Sequence, residues 1–196
     1  MRTIFLIIIL ICAMTLNAQI KIVEDFENGA TLGWEEFSNK TGSAIIKEGF
    51  IELKCHKKRQ GAATNVKLPI NGNYDFKITA KILIPKFNKK MGLSIFFWDS
   101  NLTPVFFATV TENRLFSFVD HKPIQSKIKL PKGNDKIIEF VIEFIGNDVT
   151  LTVDNVELIR TEKNGCPELI GFDTTTLIKI DEVIIEQEYT GDSEEE

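Results

Sequence analysis

Tyr74, Phe76, Ile78, Ala80, Ile82 and Ile84 occupy every second position of residues 74–84, with Asp75, Lys77, Thr79, Lys81 and Leu83 between them. A period of two puts one face of an extended strand in a core and turns the other toward water. Ile138, Phe140, Ile142 and Phe144 repeat the pattern around Glu139 and Glu143, and Val149, Leu151 and Val153 repeat it around Thr150 and Thr152. No stretch of the chain holds an apolar period of 3.6 for three turns, so helices are not expected.

Turn chemistry fits the same picture. Asn147-Asp148 after Gly146, and Asp154-Asn155 between two short apolar runs, supply residues that tolerate positive φ in tight hairpins. Gly49, Asn71-Gly72-Asn73, Lys132-Gly133-Asn134 and Asn164-Gly165 punctuate the remaining runs. The spacing predicts an all-β, antiparallel sandwich of roughly 12–14 strands. The last run changes phase: Ile178 and Ile180 share one parity, Val183 and Ile185 the other. An extra residue near Asp181-Glu182, a β-bulge, would bring all four to one face; a strand buried on both sides is the alternative.

The composition excludes several classes. With 23 Lys+Arg against 28 Asp+Glu, the net charge is −5, which argues against a nucleic-acid partner. Two His and three Cys leave little material for a metal enzyme or a His-based triad. The start of the chain reads as a signal peptide over residues 1–18: Arg2, then an apolar run from Ile4 through Leu16, then the small residue Ala18 before Gln19. That run is shorter than the ~18–20 residues needed to span a bilayer, so no membrane span is expected after its removal. The expected organisation is therefore one sandwich domain over residues 19–189 and an acidic, disordered tail over 190–196. Export leaves Cys55 and Cys166, compatible with one disulfide or with two unbridged, partly buried thiols.

Side chains that bear chemistry are sparse. A Glu-x-Asp-x-Glu strand would set two carboxylates about 5–5.5 Å apart for retaining glycoside hydrolysis. The nearest pairs, Glu139/Glu143 and Glu186/Glu188, have no Asp in register, and no catalytic residue is assigned. Cys55 and His56 are adjacent on a strand and point to opposite faces, so they cannot chelate together; His121 reads as a loop residue. The basic run from Lys54 to Arg59 reads as a charged edge that blocks strand addition, with an anionic ligand as the alternative. Phe96 and Trp98 share one phase of their strand, opposite Leu93, Ile95 and Phe97. Their row is either a second core layer or a ligand surface. Trp34 is the other candidate for an exposed aromatic.

Several motifs in order resemble the concanavalin A-like lectin/glucanase sandwiches, including laminin-G-like and glycosidase-family-16-like domains. They are Glu24-Asp25-Phe26-Glu27 with Gly33-Trp34; Glu48-Gly49-Phe50-Ile51-Glu52-Leu53; Gly92-Leu93-Ser94-Ile95-Phe96-Phe97; residues 148–155; and Ile170-Gly171-Phe172 followed by residues 180–185. The resemblance implies two curved antiparallel sheets in a jelly roll, and it covers nearly all of residues 20–190. Such a fold hosts lectins, hydrolases and adhesion modules alike. It also implies a place for a structural Ca²⁺ between the first and closing strands, where Asp25 and Asp181 stand. The function expected is an exported, non-catalytic recognition module that binds glycan on a concave sheet face, with Trp98 and Phe96 as platform and Asp99 and Asn101 at its rim. A divergent glycoside hydrolase and an adhesion domain without a small ligand are the alternatives.

Overall fold

Each alternating run forms a strand, and the strands pair antiparallel into two sheets. The computed structural model describes residues 18–47, 49–56, 61–85, 92–111, 114–119, 122–127 and 136–189. The expected signal peptide up to Asn17, the acidic tail, His121 and the basic residues Lys57, Lys58 and Arg59 lie outside these described residues. In chain order the strands are β1 (Ala18–Glu24), β2 (Phe37–Ser38), β3 (Gly42–Lys47), β4 (Phe50–Cys55), β5 (Ala62–Lys67), β6 (Phe76–Ile84), β7 (Leu93–Trp98), β8 (Pro104–Val110), β9 (Arg114–Val119), β10 (Lys122–Lys127), β11 (Lys136–Ile145), β12 (Asp148–Val153), β13 (Val156–Glu162), β14 (Leu169–Thr174) and β15 (Leu177–Tyr189). Fifteen strands are thus described, just above the expected range; the two-residue β2 is too short to carry a period. No described residue is helical, and no helix long and apolar enough to cross a membrane occurs among them.

The larger sheet runs β13-β12-β11-β6-β15-β4-β3-β2, with β1 also paired to β15. The smaller runs β10-β9-β8-β7-β14-β5. Long β15 organises the larger sheet: its first half pairs with β4, its second half with β1, and its other edge with β6. The Asp154-Asn155 hairpin has φ of 47° and 64° at its two central residues, the left-handed pair that matches strand twist.

Ile78, Ile82, Phe140, Ile142 and Phe144 from the larger sheet meet Leu93, Ile95, Phe97, Phe106 and Phe172 from the smaller in one buried core. The phase change in β15 is a bulge, as expected. Ile180 pairs with Ile82 and Glu182 with Lys81, so Asp181 is the extra residue. Ile178, Ile180, Val183 and Ile185 are all buried on one face, while Asp181 is exposed.

No disulfide joins Cys55 and Cys166. Cys55 ends β4, and its N–H donates to Thr176 O at 3.1 Å, just beyond the C-terminal end of β14. Cys166 precedes the N-terminal end of β14 and packs against Gly72. The length of β14, about 17–20 Å at ~3.3 Å per residue, separates the two sites, whereas a bridge requires Cα atoms within about 7 Å.

The bulge carries a prediction. Asp181→Ala should leave the melting temperature nearly unchanged, because the side chain is exposed. Deleting Asp181 should likewise leave a cooperatively folded protein, because Ile178, Ile180, Val183 and Ile185 then alternate strictly and keep their partners on β6. A deletion variant that fails to fold would show that the bulge does more than correct the phase of β15.

Candidate functional site

The two outer faces of the sandwich differ in chemistry. On the larger sheet the outward positions of β6, β11 and β15 carry alternating charge. Glu186 bridges Lys21 at 3.0 Å and Lys77 at 2.8 Å, and Lys81 pairs with Glu182 at 2.8 Å. Hydrogen bonds from Lys77 and Lys21 hold the Glu186 carboxyl below its usual range. Glu139 and Glu143 lie opposite Lys81 and Lys77 in register, so these acids belong to a charged, solvated surface. A cleft of about 300 Å³ on this face is walled by Lys77, Glu143 and Glu186; the Lys77–Glu186 pair already occupies two of its charges.

The outer face of the smaller sheet is aromatic. Leu93, Ile95 and Phe97 of β7 are buried in the core, and alternation therefore turns Ser94, Phe96 and Trp98 outward. In register across the sheet, Gly171, Phe96 and Phe107 form one row, and Asp173, Ser94 and Thr109 form the next. Gly171 explains how Phe96 fits: its ring lies on the β14 backbone where any Cβ at position 171 would overlap it. Trp98 stacks on Phe96, with centroids 4.3 Å apart and planes 27° from parallel. Phe96 is consequently covered to 5% exposure, while Trp98 is half-buried and lies outside the core cluster.

Asp99 and Asn101 sit in the turn that follows. Asp99 Oδ1 accepts the N–H groups of Asn101 at 2.9 Å and Thr103 at 2.7 Å, so this oxygen closes the turn. Asn101 is exposed. Trp34 departs from expectation. It is 5% exposed and packs on Phe26 at 6.2 Å and Phe172 at 5.8 Å, inside the core. It lies between strands, where no alternation indicates its direction.

Asp25 and Asp181 are the expected ligands of a structural Ca²⁺. Asp25 Oδ1 accepts the Glu27 N–H at 3.2 Å, Asp181 is the exposed bulge residue, and among the described residues no group of three or more His, Cys, Asp or Glu converges. Ca²⁺ asks for six to eight oxygens. The buried acid of this region is the neighbouring Glu24, whose Oε2 accepts Thr31 N–H at 2.8 Å, Thr31 Oγ1–H at 3.0 Å and Leu32 N–H at 2.8 Å. Its work is to fasten the segment after β1. His56 is exposed, and its Nδ1 donates to Asn39 O at 3.2 Å.

Sequence reasoning missed Asp173. It occupies the outward row with Ser94, whose Oγ lies 2.9 Å from Thr109 Oγ1. Asp173 Oδ1 is buried against Gly61 without a hydrogen-bond partner. Burial pushes its carboxyl up from the usual range, and the Thr174 N–H works in the opposite sense. The signal was present in the parity of β14, where Ile170 and Phe172 face inward and Gly171 and Asp173 outward. Asp173 is the one carboxylate at an outward strand position of this sheet among the described side chains.

No family pattern matches the chain, and no curated protein matches it. Solved structures do. The carbohydrate recognition domain of Emp47p matches at 15% identity with a TM-score of 0.61, over 84% of this chain and 94% of that one. The VIP36 exoplasmic/lumenal domain in its Ca²⁺/Man-bound form matches at 10% identity with a TM-score of 0.65, over 88% and 91%. A sialidase matches at 14% identity with a TM-score of 0.64 over 88% of this chain; the chain spans only 18% of the sialidase. At these identities the likeness is one of fold, and that fold is the concanavalin A-like β-sandwich.

The buried carboxyl generates a prediction. Its folded-state pKa lies above its unfolded one, so the folded protein binds this proton the more tightly. Stability is then present below the ordinary carboxylate range and is lost as pH rises through the raised value. Asp173→Asn should raise the melting temperature at about pH 7 and leave it nearly unchanged at about pH 3. A variant less stable than the wild type at neutral pH would show that a partner holds the carboxylate ionised.

Proposed function

We propose that this chain is an exported, non-catalytic recognition domain that binds carbohydrate on the outer face of its six-stranded sheet. The observation that carries the proposal is the Phe96–Trp98 stack, turned out of the core, with Phe96 covered and Trp98 partly exposed. The apolar C–H face of a pyranose packs on such a ring. Ser94 and Thr109 lie beside it, and Asn65, whose Nδ2 donates to Glu35 Oε2 at 2.8 Å, adds an amide two strands away. Asp99 and Asn101 stand at the rim. In this proposal residues 1–18 are removed on export, residues 19–189 form the binding domain, and the acidic residues 190–196 remain a solvated tail.

Fold neighbours support the ligand class: one is a carbohydrate recognition domain, and another was solved with mannose. The sialidase among the fold neighbours keeps glycosidic-bond hydrolysis in view; the two-carboxylate form of that chemistry, to which sialidases are an exception, needs a pair of acids flanking the bond. The outward strand positions of this face carry one acid, Asp173, and a second carboxylate, Glu35, reaches the face from outside the strands and is held by Asn65.

A glycan array probed with residues 19–190, followed by calorimetry, tests the proposal. Trp98→Ala should abolish binding while costing well below the ~3–5 kcal/mol of a fully buried aromatic. Binding that survives in Trp98→Ala would place the ligand elsewhere. Turnover of any array glycan that is lost in Asp173→Asn would make the protein an enzyme.

A further inference from the structure

Two adjoining clefts lie at the end of the sandwich next to Trp98, of about 670 Å³ and 410 Å³, and they share Asn73 and Cys166. The larger approaches the aromatic face through Lys67. Trp98 stands opposite Leu169, Leu169 stands opposite Lys67, and Lys67 lines the cleft. Two strand spacings, ~10 Å, separate β7 from β5. Glu168 lines the cleft as well, and its N–H donates to Trp98 O at 2.8 Å.

The loop at residues 71–73 between these clefts is fixed from several sides. Gln187 is 2% exposed, and its Nε2 donates to Asn71 O at 2.7 Å while its Oε1 accepts the Asn71 N–H at 3.3 Å. The Asn73 N–H donates to Asn71 Oδ1 at 3.0 Å. Lys163 Nζ reaches Gly72 O at 3.4 Å, and Gly72 packs so closely on Pro167 O that a Cβ would overlap it. A buried amide that spends both its ends on one surface loop gives that loop a single shape. Loops pre-organised on a rigid scaffold are where binding groups are held to the required precision.

What this loop presents is chemistry for hydroxyl groups. Asn73 is exposed on the wall common to both clefts. Its amide offers donors and an acceptor together, as a sugar hydroxyl requires. Asn147 and Lys163 line the smaller cleft, and Glu168 the larger.

We infer that the end cleft is a second sugar subsite, with Asn73 at its centre, and that the ligand is a chain of at least two linked sugars reaching from Trp98 into it. This inference rests on the proposal that Trp98 is a sugar platform. The test is calorimetry of residues 19–190 with mannose and glucose and with length ladders of manno-, cello- and laminari-oligosaccharides. Affinity should rise at least about tenfold from monosaccharide to chain. Asn73→Ala should erase that gain while leaving monosaccharide binding and the melting temperature unchanged. Asn73→Asp, which keeps the volume and loses the amide donor, should erase it too, and serves if the alanine variant misfolds. Trp98→Ala should remove both. An affinity independent of chain length, or a chain affinity unchanged in both Asn73 variants, overturns the end subsite and leaves the Trp98 platform standing. Failure of every sugar to bind overturns the platform and the subsite together.

Discussion

The two sheets are held to each other at Phe144. Its ring stacks on Phe76 within the larger sheet at 4.5 Å and 16°, and it meets Phe97 and Phe106 of the smaller sheet edge-on at 4.9 Å and 6.4 Å. Buried aromatic contacts of this kind add to the area they remove from water. Because Phe97 must face Phe144, the parity of β7 is settled: Leu93 and Ile95 follow it inward, and Ser94, Phe96 and Trp98 are left outside. The candidate site is thus a consequence of the core.

That consequence sets the two outer faces apart. On the larger sheet the outward positions of β6, β11 and β15 carry rows of Lys and Glu, whose ion pairs are individually weak, alternating with the uncharged row of Val141, Thr79 and Ile184. On the smaller sheet the outward positions of β7, β8 and β14 carry rings, hydroxyls, a glycine and one acid. Gly171 has a particular place there. By lacking a side chain it lets Phe96 lie on the backbone of β14, and Trp98 in turn lies on Phe96. The Ile170-Gly171-Phe172 motif therefore serves both sides of the sheet, the core through its flanking residues and the aromatic face through its middle one.

Features that depend on strand parity were legible in the sequence. The bulge at Asp181 could be found because four aliphatics change phase around it, and the outward direction of Phe96 and Trp98 because Leu93, Ile95 and Phe97 claim the inside. Features that depend on how distant segments meet were not. Trp34 belongs to an irregular segment whose direction is set by Phe26 and Phe172. Cys55 and Cys166 fall at opposite ends of β14, which their sequence separation does not encode. The sequence places Asp99 at the rim as a partner for ligand hydroxyls, and one of its oxygens is taken by its own turn. The burial of Asp173 arises from the approach of Gly61 across the edge of the sheet, and no local pattern announces it.

The chain has two tryptophans; Trp34 is buried and Trp98 partly exposed, so ligand-induced changes in emission and quenching report chiefly on Trp98. Titrating residues 19–190 with the oligosaccharide that binds most tightly, and following emission together with acrylamide quenching, tests most directly whether the aromatic face is the ligand surface. The account predicts a saturable blue shift and a loss of quenching at the concentration where calorimetry gives half-saturation. Binding by calorimetry with no change in either signal would contradict it.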